Sequence, residues 1–237
     1  GLRTGNKFSP YPEEMNRKLT GAIADIHFAP TSTSKNNLLK ENIDPAAIVV
    51  TGNTVIDALQ TTVKADYRFT DSGLQKALAG GKRLILVTTH RRENLGEPMR
   101  HVYQALRKVL ENHPDVEAIF PVHKNPKVRE IVDEELGKLA QVHLIEPLDY
   151  EPFANLMAKV DIVLTDSGGI QEEAPALGKP VLVLRDTTER PEAVDAGTVK
   201  LVGTAYDDVL RETSLLLDDS KYYQSCLLYT SPSPRDA

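Results

Sequence analysis

The sequence predicts an α/β protein built on a mostly parallel β-sheet. Two observations carry this prediction: short apolar runs alternate with longer helical patterns between residues 83 and 217, and polar loops follow several of the apolar runs. Strands that alternate with helices in this way are typical of βαβ units. Because ligands of such sheets gather at the carboxyl ends of the strands, we expect the loops at His90, His123, Ser167 and Arg185 to share one rim.

Each predicted element rests on its local pattern. Apolar runs rich in β-branched residues predict strands, and helical spacing of apolar residues next to capping residues predicts helices. Pro12 suits the first turn of a helix, Thr31 suits a helix cap, and Gly52 interrupts a strand. The predicted strands are 23–28, 48–50, 83–89, 116–122, 142–145, 162–165, 180–184 and 199–202. The predicted helices are 13–19, 32–42, 55–64, 74–79, 98–112, 127–138, 152–159, one that ends near 176–180, 190–196 and 207–217.

The composition limits the class of protein. Apolar residues make up 41% of the 237 residues and charged residues 26%, which is ordinary for a globular protein. The net charge of −6 argues against nonspecific nucleic-acid binding, which needs a basic face. No apolar run is long enough to predict a membrane span, and the single cysteine, Cys226, excludes an internal disulfide or a thiolate cluster. We therefore expect a cytoplasmic protein with no nucleic-acid or membrane partner.

A strand-to-helix corner at 166–175 is the strongest candidate for a ligand site. The apolar run 162–165 leads into an Asp-Ser-Gly-Gly turn at 166–169, and two glutamates follow. Glycines let the backbone approach a ligand closely, and the N-terminus of the next helix favours phosphate. A carboxylate one turn into that helix could accept hydrogen bonds from a sugar diol. The corner predicts a nucleotide or nucleotide-sugar site; the alternative is a tight turn in which Ser167 caps the helix.

Other loops on the same predicted rim carry charged side chains. His90 and Arg91 lie in a basic loop that follows the strand predicted at 83–89. Arginine suits phosphate and carboxylate groups, and histidine can contact a diphosphate or carry a proton. His123 follows the next strand, and the stretch 185–192 is unusually charged. The alternatives are a solvated basic loop, a structural histidine and a salt-bridged loop, respectively.

Two neighbouring carboxylates near the start of the chain are also candidates. Glu13 and Glu14 follow two prolines, and a carboxylate held beside a bound sugar could act as a general acid or base. The alternative is that the pair simply begins a helix. The sequence has no dinucleotide-binding glycine fingerprint, no Walker loop and no His/Glu spacing that suits a metal. We therefore expect a reaction that needs no metal and no redox cofactor.

Six stretches of the chain share a pattern with one known family. They are 1–17, 51–57, 90–94, 121–126, 166–175 and 185–192. In this order and at this spacing they resemble the non-hydrolysing UDP-N-acetylglucosamine 2-epimerases of bacteria over about residues 1–225.

The resemblance implies a fold of two Rossmann-like domains of the glycosyltransferase-B type, with the site in the cleft between them. On this basis 52–225 is a near-complete C-terminal UDP-binding domain, and 1–51 is a remnant of the N-terminal domain. Residues 226–237, rich in Ser and Pro, are expected to be a non-native disordered tail. The parent enzyme is expected to be a homodimer.

The resemblance also implies a reaction and the residues that carry it. The family interconverts UDP-N-acetylglucosamine and UDP-N-acetylmannosamine, in a reaction that resembles elimination of UDP to 2-acetamidoglucal followed by re-addition. No cofactor is implied. The matching positions are Glu13 and His90 for catalysis, Ser167, Gly168 and Gly169 for the diphosphate, Glu173 for the ribose hydroxyls, Arg190 for the uridine side, and Arg91 and His123 for a second UDP-N-acetylglucosamine that activates some members.

Some segments of the family pattern do not appear in this sequence. Family members carry a Gly-Thr-Arg-Pro-Glu loop, an Asp and a Glu upstream of the matching region, and an Asn-Pro-Tyr-Gly-Asp-Gly segment downstream. We therefore expect a fragment that lacks two of the three catalytic carboxylates and is inactive by itself.

Three rival functions fit the same features. A glycosyltransferase-B sugar transferase would share the diphosphate corner and the ribose carboxylate. A hydrolysing epimerase would release UDP and free N-acetylmannosamine. A non-catalytic UDP-sugar-binding module would bind the nucleotide without turnover.

Overall fold

Eight strands and eleven α-helices are present in the residues that the computed structural model describes, which are 1–9, 11–188, 190–195 and 197–227. The strands are β1 (His27–Ala29), β2 (Ile48–Val50), β3 (Arg83–Thr88), β4 (Val116–Pro121), β5 (Val142–Ile145), β6 (Ile162–Thr165), β7 (Val181–Val183) and β8 (Val199–Leu201). The helices are α1 (Glu13–Ile23), α2 (Ser32–Lys40), α3 (Thr54–Thr62), α4 (Ser72–Ala79), α5 (Glu97–Asn112), α6 (Pro126–Leu136), α7 (Tyr150–Lys159), α8 (Ile170–Ala176), α9 (Pro191–Asp195), α10 (Tyr206–Asp218) and α11 (Ser220–Ser225).

The main sheet is parallel and has the strand order β5-β4-β3-β6-β7-β8. The chain enters at the central strand β3, moves outward to β4 and β5, and then returns to the other side of β3 with β6. Thr88 at the end of β3 lies opposite Thr165 at the end of β6. This reversal creates a switch point between β3 and β6, which is where open parallel sheets bind their ligands. The prediction of an α/β protein with a parallel sheet is confirmed.

The central strands are buried on both faces, which explains why they read as continuous apolar runs. Ile85 and Val87 of β3 pack with α5, α6 and α10, whereas Leu84 and Leu86 pack with α4, α7 and α8 on the other face. Successive side chains of a strand point to opposite faces, so both helical layers need apolar partners from every strand.

A second, two-stranded parallel sheet pairs β1 with β2. Gly52, with φ of +73°, turns the chain out of β2, and α3 then packs on the main sheet through Leu59. Asn53 caps α3 by accepting a hydrogen bond from the Val55 N–H at 3.1 Å. Around the small sheet and α1, the apolar side chains Ile23, Ile26, Phe28, Val49 and Val50 are exposed.

The structure corrects one predicted element and adds another helix near the ends of the chain. The strand predicted at 23–28 is wrong over its first residues, because α1 continues to Ile23 and β1 begins only at His27. Helix α11 was not predicted; Asp219 caps it by accepting hydrogen bonds from the N–H groups of Lys221 and Tyr222.

The prediction of a disordered tail at 226–237 is wrong for its first residue. Cys226 is buried in the main core, next to α11. Residues 228–237 lie outside the described residues. In the described part of the chain, no helix combines the length and apolar character that a membrane span requires.

Replacing a leucine of the central strand should cost far more stability than replacing one on the surface. Leu86 is 0% exposed, whereas Leu215 on α10 is 36% exposed. Because Leu86→Ala leaves a cavity, we expect it to lower the free energy of unfolding by about 2–5 kcal/mol. Leu215→Ala should change it by less than about 1 kcal/mol. Urea unfolding followed by circular dichroism measures both, and equal losses would contradict the packing described above.

Candidate functional site

The buried carboxylate of Asp166 joins the loops that follow β3 and β6. Its Oδ2 accepts hydrogen bonds from the backbone N–H groups of His90 at 3.0 Å and Arg91 at 2.9 Å. The Asn94 amide donates to the same oxygen at 3.4 Å, and His90 Nδ1 lies 3.1 Å from Oδ1. The start of the basic loop is therefore held in place by the residue that begins the glycine corner.

Two threonine hydroxyls at the ends of β3 and β6 support the junction, which is the contact between the loops that follow these two strands. Thr88 Oγ1 and Thr165 Oγ1 are 2.7 Å apart, and the Thr165 hydroxyl also accepts a hydrogen bond from the Ser167 N–H at 3.0 Å. The Ser167 N–H is thus used within the protein. The backbone donors expected for a phosphate at this corner are those of Gly168 and Gly169.

The glycine corner is shaped for the close approach of a guanidinium group. A Cβ atom at Gly168 would lie 3.0 Å from Arg190 Nη1, so a larger residue there would push the arginine away. Gly169 is the N-cap residue of α8, so the cap position itself supplies no side-chain hydrogen bond to this helix. The alternative in which Ser167 caps the helix is therefore wrong, because Ser167 precedes the cap position.

Glu172 links the corner to the start of α3. One of its oxygens accepts a hydrogen bond from Arg190 Nε at 2.5 Å, and the other accepts one from the Asn53 amide. Both oxygens are engaged, so Glu172 holds Arg190 against the corner. Sequence reasoning missed Asn53, Asp166 and Glu172 as site residues, although all three lie in stretches that carry the family pattern.

The neighbouring glutamate has a different environment. Glu173 is buried, and burial raises the pKa of its carboxyl above the ordinary value, while a hydrogen bond from the Tyr150 hydroxyl at 3.3 Å partly opposes this. Glu173 also lines a cavity of about 1030 Å³ between the small sheet and α8, together with Gly169, Glu172, Arg190 and Asn53. A ligand in this cavity can reach the Glu173 carboxylate.

Glu13 approaches the site from α1. Its Oε1 lies 3.4 Å from Arg91 Nη1. Although 42% of the side chain is exposed, Oε2 is buried and has no hydrogen-bond partner among the described residues. Glu14, by contrast, is fully buried and accepts hydrogen bonds from the N–H groups of Thr4 and Gly5. Of the two carboxylates, only Glu13 has an oxygen without a hydrogen-bond partner among the described residues.

His123 lies beside His90, since β4 is the neighbour of β3. The two imidazole rings are nearly parallel, with their centroids 6.0 Å apart. Arg91 reaches back across the junction, and its Nε donates to the Asp166 carbonyl at 3.3 Å. In the next loop, Arg185 Nε lies 3.4 Å from Glu93 Oε1, which agrees with the salt-bridged alternative for that residue.

The predicted residues thus form two adjacent groups. One group surrounds Asp166 and contains Glu13, His90, Arg91 and His123. The other lines the corner and the cavity and contains Gly168, Gly169, Glu173 and Arg190, with Ser167 between the two groups. The arrangement offers hydrogen-bond donors and a guanidinium to an anion, and carboxylates to hydroxyl groups.

Comparison with known proteins identifies the family. The family model described as UDP-N-acetylglucosamine 2-epimerase matches residues 1–232. The UDP-N-acetylglucosamine 2-epimerase of Bacillus subtilis (strain 168) is 54% identical over 232 residues, which are 98% of this chain and 60% of the relative. The chain therefore spans about 60% of the length of the relatives that it matches.

Two solved structures with bound ligands are also similar. The S. aureus MnaA–UDP co-structure has a TM-score of 0.93 and 46% identity, over 98% of this chain and 62% of that one. The UDP-GlcNAc 2-epimerase from Neisseria meningitidis bound to UDP-GlcNAc has a TM-score of 0.88 and 46% identity, over 99% and 64%. Sequence and fold agree, and the chain belongs to the UDP-N-acetylglucosamine 2-epimerase family.

Proposed function

We propose that this protein is the UDP-binding part of an enzyme that interconverts UDP-N-acetylglucosamine and UDP-N-acetylmannosamine. The observation that carries the proposal is the cavity between the small sheet and α8, whose wall includes Gly169, Glu173 and Arg190. Family membership supports it, and the similar proteins from S. aureus and N. meningitidis were solved with UDP and UDP-GlcNAc, respectively.

The glycine corner would hold the diphosphate. Charge grows on the diphosphate as the bond to the sugar breaks, so donors already aimed at it lower the barrier. Gly168 and Gly169 offer backbone N–H groups and Ser167 offers a hydroxyl. The resemblance implies the uridine side for Arg190, but its guanidinium lies against Gly168, so we propose that it offers the diphosphate a positive charge that Glu172 keeps in place. Glu173 would accept hydrogen bonds from the ribose diol.

Glu13 and His90 would face the sugar. Interconversion at C2 requires a proton to leave one face of the sugar and another to arrive at the opposite face, so groups that exchange protons are needed beside it. Glu13, whose Oε2 has no hydrogen-bond partner among the described residues, and the His90 imidazole are the groups that we assign to this work. We further propose that Arg91 and His123 bind a second nucleotide sugar that regulates the enzyme.

The proposed architecture is of the glycosyltransferase-B type. In it, 52–225 is the C-terminal UDP-binding domain and 1–51 is part of the N-terminal domain, so that the cavity is the cleft between them. We expect the enzyme to be a cytoplasmic homodimer, and light scattering after size-exclusion chromatography measures its mass directly.

The proposed function is tested with a chimaera. This chain is joined to the part of the B. subtilis relative that lies outside the matched 60%, and UDP-sugars are followed by NMR in D₂O. We expect interconversion of the two UDP-sugars with deuterium at C2, whereas the 237-residue chain by itself should only bind UDP.

The Glu13→Gln variant of the chimaera should bind UDP normally but lose about 10²–10⁴-fold in turnover. Asp25→Asn, an exposed change near the end of α1, is the matched control and should leave turnover unchanged. Sugar transfer to an added acceptor would favour the transferase, and free N-acetylmannosamine would favour the hydrolysing enzyme. UDP binding without any turnover would leave only a binding module.

Removing the charge of Glu173 should weaken UDP binding through the ribose. A hydrogen bond to a charged group contributes about 1.5–3 kcal/mol, so Glu173→Gln should raise the Kd for UDP by about tenfold to a hundredfold. Glu151→Gln, an exposed change at the start of α7, is the control. Calorimetry should also show that the variant and the original chain bind 2′,3′-dideoxy-UDP equally. A full effect of the substitution on the dideoxy ligand would rule out the ribose contact.

The tighter UDP binding that Glu173 gives, compared with glutamine at this position, should disappear in mild acid. Because burial raises the pKa of Glu173, its carboxyl takes up a proton at a higher pH than an ordinary glutamate and then accepts hydrogen bonds less well. The ratio of the Kd for Glu173→Gln to that for the native chain should therefore fall toward one as the pH decreases through the raised pKa. Taking this ratio cancels the titration of UDP itself. A ratio that stays constant down to the ordinary glutamate range would contradict the assignment.

A further inference from the structure

Asp166 is placed to control the protonation pattern of the His90 ring. Its carboxylate is completely buried and receives the backbone N–H groups of His90 and Arg91. His90 Nδ1 lies 3.1 Å from Oδ1, while 42% of the His90 side chain is exposed. The ring is therefore anchored at its Nδ1 edge by a group that is covered by protein, and part of the ring, beside His123, is exposed.

We propose that Asp166 is a positioning residue that keeps neutral His90 in the Nδ1–H form, so that the unprotonated Nε2 is the nitrogen available to the ligand. This inference rests on the proposed function for the role of His90, but not for the protonation pattern itself. An ionised carboxylate only accepts hydrogen bonds, so it selects the ring form with a proton on Nδ1. A proton that Nε2 takes up from solvent or substrate would give an imidazolium whose Nε2–H can donate to an anionic leaving group, with Asp166 balancing the charge.

The backbone contacts explain why a carboxylate is needed. The N–H groups of His90 and Arg91 donate to Oδ2, and the ring faces Oδ1, so both oxygens must accept. An asparagine has only one such oxygen. If that oxygen accepts the hydrogen bonds of the two backbone N–H groups, the NH₂ group of the asparagine would face His90 Nδ1. It would then favour the opposite ring form, in which Nε2 carries the proton.

The first test needs no variant. Nitrogen-15 NMR of the 237-residue chain distinguishes Nδ1–H from Nε2–H rings, and the His90 signals are assigned by their loss in His90→Asn. At a pH where the ring is neutral, we expect the Nδ1–H form. The Nε2–H form, which is the common one in water, would overturn the proposal even if no Asp166 variant folds.

The second test compares two carboxylates that both accept backbone hydrogen bonds at strand ends. Asp161 accepts one from the Leu84 N–H at 2.7 Å, at the opposite end of β3 from His90. Asp166→Asn should convert His90 to the Nε2–H form, whereas Asp161→Asn should lower stability without changing the ring. If Asp166→Asn leaves the Nδ1–H form in place, Asp166 is not the group that selects it.

A UDP titration of the native chain separates this inference from the proposed function. Absence of UDP binding together with an Nδ1–H ring would reject the nucleotide site and keep the positioning role of Asp166. UDP binding together with an Nε2–H ring would keep the nucleotide site and reject the positioning role of Asp166.

Discussion

The parallel pairing of β3 with β6 is the constraint on which the candidate site depends. It places Thr88 opposite Thr165, and so brings residues 90–91 and 166–169 together although they are more than seventy positions apart. The buried Asp166 carboxylate then ties the two loops through backbone hydrogen bonds. A buried carboxylate needs several donors to offset the loss of water, and these loops supply them. The same contacts that stabilise the junction also hold the ring that we propose to be catalytic.

At the glycine corner, hydrogen bonds hold the charged side chains in position. The positive charge of Arg190 stands beside the glycine corner, where a diphosphate would bring negative charge, and Glu172 holds it there from one side. Asn53 connects Glu172 to the start of α3, next to the turn that leaves the small sheet. These contacts therefore connect the glycine corner to the segment that joins the two sheets.

Most of the main sheet was predictable from the sequence, because its strands are short, apolar and regularly separated by amphipathic helices. The rim was predictable too, since parallel strands place their carboxyl ends on one edge. The weak points were the ends of the chain, where Ile23 and Ile26 are exposed and give a misleading strand pattern, and where α11 depends on the cap formed by Asp219. The glycine corner was recognised, but its relation to Arg190 was not.

The sequence alone determined the fold class, the position of the glycine corner and the family resemblance, because these depend on local patterns and spacing. Only the tertiary structure decided the roles of neighbouring carboxylates. Glu13 and Glu14 are equivalent in the sequence, yet Glu13 has a carboxylate oxygen without a hydrogen-bond partner among the described residues, whereas both oxygens of Glu14 accept hydrogen bonds inside the protein. Glu172 and Glu173 differ in the same way. Adjacent residues of a helix point about 100° apart, so their partners come from different parts of the chain, which no local pattern reveals.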